Sequence, residues 1–96
     1  MNIEKEVTQI IDELNQKSLI LKSLVTCGDR KAINSTFKIL VEKVRKLSDI
    51  ELYVLTSGLP LEGTILILRK LNEVRSRVLD CLEKASKFLK QEESSK

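Results

Sequence analysis

Histidine and tryptophan are absent from these 96 residues, and cysteine, glycine, proline and aromatic residues are scarce. Each absence closes a route. Without histidine the chain lacks the commonest general base and the commonest transition-metal ligand. Ser/His and Cys/His nucleophilic pairs cannot be built from one copy. Three scattered glycines make no phosphate-cradling loop. Cys27 and Cys81 show neither Cys-x-x-Cys nor Cys/His metal spacing and read as small apolar residues. Two thiols without a denser framework suggest a reducing compartment. No apolar run approaches about 18 residues, so no membrane span is expected, and Met1 to Gln16 is too charged for a leader. The expectation is an intracellular protein, cytoplasmic or nuclear, that is not an enzyme and needs no cofactor or metal.

What is present is Leu, Ile and Val, within an apolar share of 42%, beside 32% charged residues. That balance suits one folded helical domain over residues 1–91, followed by a disordered tail at 92–96. The net charge of +3 is mild. It is uneven: residues 29–48 hold six bases against Asp29 and Glu42, whereas residues 49–58 hold only Asp49 and Glu51. A basic stretch of this size attracts acidic partners, although most such stretches are solvated helix faces.

Apolar residues recur at steps of three and four, the period of an amphipathic helix. Ile3, Val7, Ile10, Ile11, Leu14, Leu21, Leu24 and Val25 predict a first helix over about 3–26, closed by Gly28. Ile33, Phe37, Leu40, Val41, Val44 and Leu47 predict a second over about 30–47, capped by Asp29 or by Asn34-Ser35. Ser48-Asp49-Ile50-Glu51 has the form of a capping box and predicts a short third helix over about 49–57. That segment is apolar on nearly every side, which implies burial. Gly58-Leu59-Pro60 is a break, and Pro60 suits a helix's first turn. The remainder predicts helices at about 61–71 and 73–90, or one unbroken helix, with Asn72-Glu73 the only internal break the pattern allows. The expected fold is all-α, a compact bundle of four to five helices.

Residues 30–90 resemble the N-terminal domain family of transcription elongation factor S-II and its integrase-binding-domain relatives. The matching stretches are Phe37 to Leu47, Ser48-Asp49-Ile50-Glu51-Leu52, Ile65-Leu66-Ile67-Leu68-Arg69-Lys70, Asn72-Glu73-Val74-Arg75 and Lys84 to Lys90. The family's Thr-x-Ile-Gly turn is replaced by Gly58-Leu59-Pro60-Leu61-Glu62-Gly63, and its late Trp-Lys by Phe88-Leu89-Lys90. The resemblance implies docking of short, disordered, acidic and aromatic peptide motifs on loops at one end of the bundle. Those loops are Cys27-Gly28-Asp29-Arg30 and Leu71-Asn72-Glu73. Asp29 would accept from a partner's backbone, with Arg30 and Asn72 in the same loops. Arg69, Lys70, Arg75 and Arg77 would face the partner's acidic flank. Asp29 as a helix cap and the arginines as solvated surface are the competing assignments.

The functional expectation is a non-enzymatic helical protein–protein interaction module, of a transcription-associated kind where the resemblance holds. Its partner would be a protein or a disordered peptide, and its own oligomeric state is open. One alternative is a small helical chaperone or adaptor, of the secretion or flagellar type, that self-associates. An unbroken helix over 64–90 with an exposed apolar face would favour it. Another is a helix-turn-helix DNA-binding protein using residues 49–70. Nucleic acid is disfavoured because Leu66 and Leu68 make the candidate recognition helix too apolar.

Overall fold

The computed structural model describes the backbone of residues 3–94 and the side chains of residues 3–91. Among the described residues there are three helices, α1 (Ile3–Cys27), α2 (Arg30–Thr56) and α3 (Leu61–Ser94). Each packs against both others, and two short links make the chain run up, down and up. The result is a rod of 54 × 18 × 16 Å. Its length is close to that of α3 alone, whose 34 residues span about 51 Å.

A seven-residue spacing builds the core. In α1 the buried apolar residues are Val7, Leu14 and Leu21, and in α2 they are Ile33, Leu40, Leu47 and Val54. In α3 the buried series Thr64, Ile67, Leu71, Val74, Val78, Leu82 and Ala85 steps by threes and fours. This repeat keeps one seam of each helix turned inward along the rod, as in coiled coils. Each fully buried Leu or Ile contributes roughly 1.5–3 kcal/mol relative to exposure.

Both links have identifiable stop signals. Gly28 takes φ 77° and its N–H donates to Leu24 O at 2.9 Å. The Asp29 carboxylate then caps α2 by accepting from Ala32 N at 3.2 Å. At the other end, Ser57 Oγ donates to Val54 O at 2.8 Å and Gly58 takes φ 78°. Pro60 follows, and its carbonyl accepts from Thr64 N at 3.0 Å.

The expected four to five helices are corrected to three. The stretches 30–47 and 49–57 are one helix, α2, and Ser48 and Asp49 are exposed residues within it. Leu47 and Val54 continue the seven-residue spacing of Ile33 and Leu40, and burying all four requires helix throughout. Ser in a helix interior costs only a few tenths of a kcal/mol, so the capping box is overruled. Of the two alternatives for the remainder, helices at 61–71 and 73–90 or one unbroken helix, the structure has the second, with Asn72 exposed and no non-Gly residue at positive φ among those described. The spacing Leu71, Val74, Val78 passes through Asn72 unbroken. The 49–57 segment is also not buried, because of its residues 50–57 only Val54 is fully inside. Helix α3 runs to Ser94, into the stretch expected as a tail, and residues 95 and 96 lie outside the described residues. The stretch 48–52, one of those that carry the elongation-factor resemblance, is therefore helix interior and opens no short helix of its own.

Candidate functional site

Two ion pairs fix how the helices face one another. Lys43 Nζ meets Glu13 Oε2 at 2.9 Å across α1 and α2, and Arg75 pairs with Glu51 across α2 and α3. The second pair marks the α2–α3 seam. Leu55 lies one helical turn beyond Glu51, on the same side of α2, with Leu52 beside it. On α3, Leu61 and Leu68 stand on the side of Arg75 at seven-residue steps, and Ile65 lies between them. The seam therefore changes character past the ion pair. Toward the turn, both its walls are apolar.

Except for Leu68, which packs against the core, these side chains are exposed. Among the described residues ten large apolar side chains are exposed, and six lie between Leu52 and Leu66: Leu52, Tyr53, Leu55, Leu61, Ile65 and Leu66. The stretch 52–68 carries a single charge, Glu62. Leu61 is 74% exposed and Leu66 56%. Concentrations of exposed apolar surface on a small folded domain mark contact sites, whereas isolated ones need no explanation. Ile65 and Leu66 lie on the outer side of α3, away from the buried Ile67 and Leu71, with Glu62 one turn before them and Arg69 one turn after.

The residues singled out from the sequence are dispersed. Asp29 is spent on the α2 cap, and Arg30 Nη2 donates to Leu89 O at 3.4 Å. Gly28 lies at the level of Phe88, whose ring a Cβ on the glycine would meet at 3.9 Å. Asn72 is about sixteen residues back along α3, roughly 24 Å away. The Gly28 turn and Leu71–Glu73 thus do not share an end of the rod, and Leu71–Glu73 is not a loop. Arg69, Lys70 and Arg77 are exposed on α3, while Arg75 is committed to Glu51. Arg75 points to the α2 side; Lys70 and Arg77, seven residues apart, share a different side; Arg69 points outward.

A recess of about 390 Å³ lies between α1 and α3, with Asn15, Ser18, Lys22, Arg77, Asp80 and Cys81 in its lining. Ser18 is only 8% exposed, and its hydroxyl has no hydrogen-bond partner. The recess offers a thiol and a hydroxyl but no imidazole to activate either. A smaller recess of about 230 Å³ sits between α1 and α2 at the apolar end, lined by Ile3, Val7, Ile50 and Tyr53 among others. Among the described residues no three of His, Cys, Asp and Glu gather as a metal site. No helix there is long and apolar enough to cross a membrane. Lys43, by its hydrogen bond and its charge, holds the Glu13 carboxyl below the ordinary value.

Sequence reasoning passed over Leu52 and Leu55 because it assigned the 49–57 segment to the interior. The signal was available: neither Leu52 nor Leu55 falls on the seven-residue spacing through Leu47 and Val54. No family model matches the chain, and neither a curated protein nor a solved structure matches it.

Proposed function

We propose that the chain is a non-catalytic helical interaction module that binds protein through the α2–α3 end of the rod. One observation carries the reading. Six exposed large apolar side chains sit within fifteen residues around one turn, Leu52 to Leu66, in a stretch whose only charge is Glu62. Those side chains are not needed for the core, which is closed by a separate set of residues. Exposing them favours self-association and aggregation unless a partner covers them.

Within that reading, a self-associating adaptor is favoured over docking of acidic peptides on the basic residues. The unbroken α3 with an exposed apolar outer side supports the first. The dispersal of Asp29, Arg30, Asn72 and the α3 bases takes support from the second. Helix-turn-helix DNA binding draws little support, since α2 and α3 lie side by side in a rod only 18 × 16 Å across, not at a steep crossing.

The test is photo-crosslinking in the cell that makes the protein. A photoreactive residue is placed at Leu55, Leu61 or Leu66, and at Asp12 and Lys38 as controls. Discrete protein adducts from the apolar end and none from the controls support the reading. An apolar end as silent as the controls would sink it.

A further inference from the structure

On the outer side of α3, Glu62, Ile65, Leu66 and Arg69 form a stripe at spacings of three, one and three. All four are exposed, with Ile65 at 42% and Leu66 at 56%. A bundle helix ordinarily shows water a polar outer face. Here the middle of the stripe is apolar and its ends are one acid and one base. Glu62 and Arg69 are seven residues apart, about 10 Å of helix, too far to pair with each other. Neither has a partner of opposite charge among the described residues.

The order acid, apolar, apolar, base has a symmetry. Read from either end of an antiparallel helix pair, it meets its own complement. A two-fold axis between Ile65 and Leu66 would put Glu62 of one copy level with Arg69 of the other, twice, and pack Ile65 and Leu66 against their counterparts. Parallel packing would set acid on acid and base on base. Two-fold interfaces are isologous and require self-complementarity of this kind. From this charge pattern we infer that the outer stripe of α3 is covered by a second copy of this chain, antiparallel to the first.

The inference rests on the reading of this end of the rod as a protein-binding surface. Beyond Arg69 the same side continues as Glu73, Ser76 and Asp80, all exposed, so the apolar contact is short. Leu61 on α3 and Leu55 on α2 flank it. A contact of that extent falls in the small, transient class of interfaces, so the dimer is expected in the micromolar range or weaker.

Sedimentation equilibrium from micromolar to millimolar protein tests it, with helical circular dichroism as the folding control. Glu62→Arg alone and Arg69→Glu alone each turn two attractive contacts into two repulsive ones, and each should weaken the dimer by about tenfold. The double variant should restore it, and an equimolar mixture of the two single variants should pair as a heterodimer. A monomer throughout the range overturns the inference, as does a dimer indifferent to both reversals. The photoreactive residue at Leu66 separates the two levels of the argument. An adduct of twice the chain mass supports the second copy. An adduct of another mass only overturns the second copy while leaving the interaction reading standing, and no adduct overturns both.

Discussion

Glu51 on α2 pairs with Arg75 on α3 at the place where the sequence expects a helix to begin. The glutamate that completes a capping-box pattern does not turn back to its own helix. It reaches across to another. Both side chains are about a quarter exposed, which gives the pair more protection from water than most surface pairs have. A double-mutant cycle with Glu51→Gln and Arg75→Met should give a coupling of about 0.5–1 kcal/mol by urea unfolding. A coupling within error of zero would mean the pair adds nothing to the stability of the bundle.

Ser48 gives the sharper test of helix α2. At a helix start, Ser48→Ala would remove a cap and cost about 1 kcal/mol. In a helix interior the same change swaps a modest helix former for the best one and gains about 0.5 kcal/mol. Ser48 is exposed and lies mid-helix, so the urea midpoint should rise. A clear fall would mean that a helix begins there after all.

Much of the bundle was legible because apolar spacing reports burial directly. The ends of α1, the Gly28 stop and the Asp29 cap all follow from local chemistry that the structure keeps. The interior of α2 was misread because Ser48 to Glu51 satisfies a local rule, while the decision belongs to Leu47 and Val54, whose burial depends on helices distant in sequence. At Asn72, where the pattern left a break or an unbroken helix open, burial of Leu71 and Val74 on either side decides for the unbroken helix. The exposed apolar end could not be read from composition, since Leu52 and Leu55 look like core residues until the seam that excludes them is located. Pairings between helices, such as Glu51 with Arg75, carry no signal in a single sequence.

The Glu13–Lys43 pair gives the expected pH dependence. Lys43 lowers the folded-state pKa of Glu13 below its ordinary value, first through a direct hydrogen bond and then through its charge. A depressed carboxylate contributes stability that is present above the unfolded-state pKa and is lost as pH falls through the folded-state pKa. The contribution is small because the pair is in contact with water. In an NMR titration Lys43→Met should raise the Glu13 midpoint. An unchanged Glu13 midpoint in that variant would remove the pair as the cause.

Ser18 is the one buried side-chain hydroxyl without a partner among the described residues, and its residue lines the recess between α1 and α3 with Asn15, Lys22, Arg77 and Asp80. Its position on α1 is four residues after Leu14 and three before Leu21, within the buried stripe. A buried hydroxyl left unpaired costs about 1–3 kcal/mol, and Ala is also the better helix former by about 0.5 kcal/mol. Ala is smaller by only the hydroxyl, so the void it adds is slight. Ser18→Ala should therefore raise the urea midpoint, by the equivalent of about 1 kcal/mol or more. Thr64 is the internal control, because its buried hydroxyl does have a partner, donating to Pro60 O at 3.1 Å. Thr64→Val keeps the shape and deletes both the hydroxyl and its bond, so it should change stability little or lower it. If Ser18→Ala were destabilising while Thr64→Val was neutral, the Ser18 hydroxyl would have to be held in solution by a bound water in the α1–α3 recess, and the recess would then be a hydrated, ordered site.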